Sequence, residues 1–213
     1  MLAAVPEFVA DEDIVGNLLA SLGRVAVGLG IAMVVGTFAA LAMASHPRWE
    51  AFFGTYVTVG FGIPGLAAAL FALMIFGLSD TGVYAAIAAV TFPFVTTALR
   101  SGAGAVDRQL VEMANVYNYG FWRRHRHITL PTIAPDFVST VRNMHALAWK
   151  IAIIAEVFLA RDGLGAEFKK AFDQFALEPV VLWLTVFLLT LFGIEYGVLR
   201  PLDRFVHRWR ALT

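Results

Sequence analysis

Three uncharged, mostly apolar windows, Val25–Ala44, Val57–Leu78 and Thr81–Leu99, constrain this chain more than any other feature. A helix gains about 1.5 Å per residue, so about 20 apolar residues cross a hydrocarbon core about 30 Å thick. Each window meets that length. A fourth stretch, Phe137–Leu159, is long enough but carries Arg142, Lys150 and Glu156, and a fifth, Val180–Leu199, carries only Glu195. These stretches predict an all-α polytopic integral membrane protein with about five transmembrane helices. Composition agrees: 59% of the 213 residues are hydrophobic and 15% charged, against about 45–50% and about 25% in soluble domains. A core of this size cannot bury that much apolar surface, so lipid must cover the rest.

Breaks fall at Ser45-His46-Pro47, at Ser79-Asp80, between Arg100 and Pro135, and between Arg161 and Pro179. The first twenty residues lack a basic start and contain Glu7, Asp11, Glu12 and Asp13, so they are not a signal peptide, and the chain divides into an amino-terminal arm at 1–24 and a transmembrane domain at 25–213. Lys and Arg are retained on the cytoplasmic side of membranes. With the amino terminus outside, the cytoplasmic segments hold ten of them (Arg48, Arg100, Arg108, Arg123, Arg124, Arg126, Arg200, Arg204, Arg208 and Arg210) and the outer segments four (Arg24, Arg161, Lys169 and Lys170). That excess places the carboxyl terminus and the long loop at about 100–135 in the cytoplasm. Acidic and basic residues balance at 16 each, which gives no case for nucleic acid. Cysteine is absent, which excludes disulfides, thiolate metal sites and cysteine nucleophiles.

The loop is too patterned to be a connector. Asp107–Tyr117 reads as a short amphipathic helix with Leu110, Met113, Ala114 and Tyr117 on one stripe. Asn118 follows, a residue that accepts the left-handed conformation of a helix stop. A second short helix runs from Gly120 to about His127, through Trp122, toward Leu130-Pro131, where proline forces a turn. Glu112-Met113-Ala114, three residues, Asn118, nine residues, then Ile128-Thr129-Leu130-Pro131 resembles the cytoplasmic loop of the inner-membrane permease subunits of bacterial ATP-binding-cassette (ABC) importers. That family's pattern is Glu-Ala-Ala, three residues, Gly, nine residues, Ile, one residue, Leu-Pro, and every spacing is kept. Met113 and Asn118 depart from it in residue type. Ser21-Leu22-Gly23-Arg24, Ile63-Pro64-Gly65-Leu66-Ala67, Ala148-Trp149, Glu156 and Gly163-Leu164-Gly165 are similar to further segments of the branch that includes nitrate, sulfonate and taurine permeases.

The resemblance implies a loop that couples to an ATPase through Glu112, Met113, Ala114, Tyr117, Asn118, Trp122, Leu130 and Pro131. Read alone, Glu112 is a solvated charge, and Arg123-Arg124-His125-Arg126-His127 a topology signal or lipid contact. Within the fourth span Arg142, His145, Trp149 and Glu156 fall on one narrow face. Charges there are costly, so the stripe either ties helices together or lines a translocation path. Glu195 reads as an interfacial residue or a partner of a basic neighbour such as Arg200. In Gly60-Phe61-Gly62-Ile63-Pro64-Gly65, glycines and a proline weaken the second span, making Phe61 and Pro64 candidates for a path-lining or gating element.

No P-loop, Gly-x-Ser-x-Gly or His-Glu-x-x-His pattern occurs, and the histidines lack metal-ligand spacing. The reading is a non-catalytic permease subunit of an ABC importer in the bacterial inner membrane, with no cofactor and no metal. Its implied partners are two cytoplasmic ATP-binding subunits, a second permease subunit, identical or not, an extracytoplasmic solute-binding protein and membrane lipid. The solute would be small, with Arg142 and Lys150 favouring an anion and the branch also handling vitamin-like molecules. The rivals are a membrane-embedded enzyme or an ion-coupled carrier using Arg142, His145 and Glu156.

Overall fold

The computed structural model describes residues 13–103, 113, 116–117, 119–120, 123 and 130–207. Helix α1 spans Ile14–Ser45, so the boundary drawn between residues 24 and 25 falls inside it. Asp13 caps its start, its carboxylate accepting from the Gly16 N–H at 2.9 Å. The helix stops at His46, which is extended, as the residue before a proline prefers. Helix α2, Pro47–Phe61, then begins with proline in its first turn, where the missing N–H costs nothing.

The second apolar window is not one continuous helix. Helix α3, Gly65–Phe76, is bent from α2 by 104°. Pro64 has no N–H to extend α2, and Gly62 closes the last turn on the Val59 carbonyl at 3.0 Å. The Pro64 carbonyl starts α3 instead, accepting from the Ala68 N–H at 3.0 Å.

Helix α4 is Asp80–Ala103 and contains Pro93. Gly60 of α2 packs against that proline so closely that a Cβ there would collide with its ring. Helix α5, Leu130–Leu159, starts before the expected Phe137 and holds Pro131 in its first turn. Helix α6, Leu164–Asp173, turns from α5 by 56°. Helix α7, Leu177–Ile194, continues through a π-helical turn at Glu195–Leu199 into α8, Arg200–His207.

Helix α1 lies along α4, and α4 along α5, with α3 against both α4 and α5. Small residues allow these approaches: Gly28 faces Ile87 and Gly36 faces Val95 with no room for a side chain. Trp149, Ala152 and Ala155 of α5 fill the centre with Val83 and Ile87 of α4. Helix α7 contributes a single buried residue, Trp183, and stands at the edge of the bundle. Helices α1, α4 and the run from Leu177 to Val206 are each long and apolar enough to cross a membrane. The bent pairs α2–α3 and α5–α6 raise the number to five if each is one span.

Candidate functional site

The predicted stripe on α5 divides into two ionic clusters facing different helices. Glu156, with no solvent exposure, accepts from Ser21 Oγ at 2.8 Å, Arg24 Nη1 at 3.2 Å and the Gly165 N–H at 2.9 Å. Arg24 also donates to Asp80 at 2.8 Å, to the Asp162 carbonyl at 2.7 Å and to the Asp162 carboxylate. Asn17 accepts from the Gly163 N–H at 2.7 Å and Ser21 Oγ from the Leu164 N–H at 2.8 Å. The start of α1, the end of α5 and the start of α6 are thus one hydrogen-bonded unit. Beyond the end of α5, the Arg24 guanidinium holds the Asp162 carboxyl below the usual carboxylate range.

Glycines at this junction have steric reasons. Gly163 sits at φ +98°, ψ 167°, a region essentially reserved for glycine. A Cβ there would lie 2.6 Å from Arg24 Nη1 and 2.9 Å from Glu156 Oε1, and one on Gly165 would lie 2.5 Å from the Ile153 carbonyl oxygen.

The second cluster lies fourteen residues earlier on α5, about 21 Å along the axis. Arg142 binds Glu195 at 2.7 Å and Asp203 at 2.9 Å, and Ser139 Oγ donates to Asp203 at 3.0 Å. Glu195 therefore pairs with Arg142 and not with Arg200, whose guanidinium instead lies over the Tyr196 ring at 5.1 Å. The π-helical turn at Glu195–Leu199 changes the helical phase here.

His145 joins neither cluster. Its Nδ1 lies 3.3 Å from the Arg142 carbonyl oxygen, and its buried Nε2 has no partner among the described residues. Trp149 is buried against Phe187, with ring centroids 6.1 Å apart. Arg142, His145 and Glu156 are not brought together as the acid–base set of the enzyme reading, and Glu156 and Glu195, the coupling groups of the carrier reading, lie in different clusters. Among the described residues no group of His, Cys, Asp and Glu could hold a metal ion.

Open space lies elsewhere. Phe61, packed edge-on to Phe94 at 4.8 Å, lines a groove of about 640 Å³ that also holds Glu50, Thr55, Thr58, Thr97 and Arg100. Glu50 and Arg100 form an ion pair there. Pro64 lines a neighbouring apolar cavity of about 630 Å³ inside the α2–α3 elbow.

Of the loop residues, Met113 and Tyr117 are exposed, with the Tyr117 N–H donating to the Met113 carbonyl at 3.0 Å. Leu130 and Pro131 open α5. Glu112, Ala114, Asn118 and Trp122 lie outside the described residues. Sequence reasoning missed the Arg24 cluster, although Asn17, Ser21, Arg24 and Gly28 recur at four, seven and eleven residues along α1, a polar and small stripe in an apolar helix.

Among the described residues the elements are all helical, with sharp bends between α2 and α3 and between α5 and α6. The family model for the binding-protein-dependent transport system inner membrane component matches residues 32–207. The chain belongs to that family. This permease is 25% identical over 214 residues to the taurine transport system permease protein TauC of Escherichia coli, covering 98% of the chain and 75% of the relative. It is 27% identical over 197 residues to the formylaminopyrimidine transport permease protein ThiX of Halalkalibacterium halodurans, covering 91% and 77%. Its fold matches a chain of an amino acid ABC transporter solved with histidines, with a TM-score of 0.74, 20% identity and coverage of 95% and 97%. It also matches an inward-facing MetNI methionine ABC transporter chain, with a TM-score of 0.78, 14% identity and coverage of 90% and 95%. The permease is thus a non-catalytic, multi-pass inner-membrane subunit of an ABC importer, a system that includes an ATPase and a solute-binding protein.

Proposed function

We propose that the Glu112–Pro131 loop is the contact through which two ATP-binding subunits drive this permease. The carrying observation is the spacing Glu112-Met113-Ala114, Asn118, Ile128, Leu130-Pro131, every interval of which matches the family's loop. Packing at the ends of the loop supports it. Gly102 in the last turn of α4 faces Asp136 in α5, where a Cβ would lie 2.5 Å from the carboxylate, and Ser139 and Arg142 bind α8 through Asp203. Displacing the loop therefore moves α4, α5 and α8 together.

In this reading the loop and carboxyl terminus are cytoplasmic and the amino terminus is outside. A solute-binding protein delivers solute from outside, and a second permease subunit completes the path. Phe61 and Pro64 line that path. Arg142, His145, Trp149 and Glu156 keep its walls in register from inside the bundle. The solute is a small molecule, anionic or vitamin-like, of the kind that the names of the taurine and formylaminopyrimidine permeases describe.

The test is Glu112→Lys in the assembled importer. The expected result is normal insertion with loss of ATPase association or of solute-stimulated ATP hydrolysis. Wild-type hydrolysis and transport in that variant would remove the loop from coupling.

A further inference from the structure

Lys150 differs from the paired arginines of the bundle. Arg24, Arg100 and Arg142 each have carboxylate partners, whereas Lys150 has no hydrogen bond or ion pair among the described residues and is exposed on α5. It lies nine residues before Leu159, about 13 Å along the helix, inside the apolar stretch Phe137–Leu159 that the sequence predicts to cross a hydrocarbon layer about 30 Å thick. An ammonium at that depth without a counter-charge is costly, and ionisable groups kept in such places serve a partner or a ligand. Beside it a cavity of about 360 Å³ opens between α5, α6 and α7, walled by Ile154, Phe168, Trp183, Leu184 and Phe187, and among the described residues Lys150 is the one charged side chain lining it. One cationic donor on an aromatic and aliphatic pocket of that size suits a ligand with one oxyanion head and a flat or short apolar body.

We propose that Lys150 and this cavity form a binding site for such an anion. The ammonium takes a sulfonate, carboxylate or phosphate oxygen, and Phe168, Trp183 and Phe187 take the apolar part. The site is separate from the groove and elbow lined by Phe61 and Pro64, and it does not depend on the coupling role of the loop. Its head-group chemistry is shared by a soluble organic anion and an anionic lipid, and the experiment distinguishes the two.

The test uses the full chain in phosphatidylcholine vesicles with Leu184→Cys as reporter, since the chain has no cysteine of its own. Benzenesulfonate at twice its dissociation constant is expected to slow maleimide alkylation of that cysteine about threefold. Benzenesulfonamide, neutral and of similar size, is expected to leave the rate unchanged. Adding Lys150→Met should abolish the protection, and Lys150→Arg should keep it. If phosphatidylglycerol in the vesicles itself slows alkylation in a Lys150-dependent way, the natural anion is a lipid headgroup. If only benzenesulfonate does so, it is a soluble solute. Equal protection by sulfonate and sulfonamide, a comparison made with Lys150 intact, overturns the proposal. So does protection that survives Lys150→Met, and so does the absence of protection by both anions.

Discussion

At the scale of single residues, Glu156 is tolerated without solvent because Ser21, Arg24 and the Gly165 N–H satisfy its carboxylate. Removing one member of such a buried pair leaves the other charge uncompensated, which costs about 3–5 kcal/mol. Arg24→Met is therefore expected to lower thermal stability of the detergent-solubilised chain by an amount of that order. Adding Glu156→Gln should restore part of the loss, because the unpaired charge is gone while an oxygen remains for Ser21 and Gly165. Equal stability of Arg24→Met and the parent in a thermal melt would remove the pair from the stability of the bundle. Asp162 sets a separate acid dependence. Its folded-state carboxyl is held below the usual range by Arg24, so it adds stability above the unfolded value of about 3.9. That contribution fades as pH falls through the lower folded value. Asp162→Asn should flatten the acid limb of a stability–pH curve and leave the neutral region less stable than the parent. An unchanged acid limb would mean that Asp162 is not linked to folding.

At the scale of elements, two bends decide where the helices go, and each has a local cause. The α2–α3 elbow follows from Pro64 and from the closed turn at Gly62. The α5–α6 bend follows from Gly163 at positive φ, pressed between Arg24 and Glu156. Gly163→Ala should cost about 1–3 kcal/mol from backbone strain alone, with a further loss as Cβ displaces the ion pair. Gly30→Ala is the control: nothing lies within 4 Å of a Cβ there, so alanine should be neutral or stabilising by about 0.5–1 kcal/mol within a helix. Comparable melting temperatures for the two variants would show that the α5–α6 junction does not rely on glycine geometry.

At the scale of the whole molecule, the bundle has two chemically different ends. Arg24, Asp80 and Asp162 gather at one, while Glu50 with Arg100 and Arg142 with Asp203 lie toward the other, on the side where α4 ends and α5 begins. The proposed orientation can be read with single cysteines. Asp11→Cys and Lys169→Cys should react with an impermeant thiol reagent added outside intact cells, and Arg124→Cys and Arg208→Cys should not. The reverse pattern would invert the chain and take the loop away from any cytoplasmic ATPase.

The sequence by itself determined the all-helical membrane class, because apolar runs long enough to cross lipid have no other stable home and the backbone must satisfy its own hydrogen bonds there. It also determined the family, because the loop spacing from Glu112 to Pro131 is a local pattern that needs no fold to be read. Helical periodicity grouped Arg142, His145, Trp149 and Glu156 into one stripe, which packing divides between an Arg24–Glu156 cluster and an Arg142–Glu195 cluster. It could not supply their partners. Arg24 is separated from Glu156 by 132 residues and Glu195 from Arg142 by 53, and such pairings are decided only when helices pack. Tertiary structure likewise split the second apolar window, since hydrophobicity measures length and is blind to a 104° bend. Lys150 shows the same division: the sequence exposed a charge within a span, and packing alone decided that this one, unlike Arg142, would find no counter-charge among the described residues of its own chain.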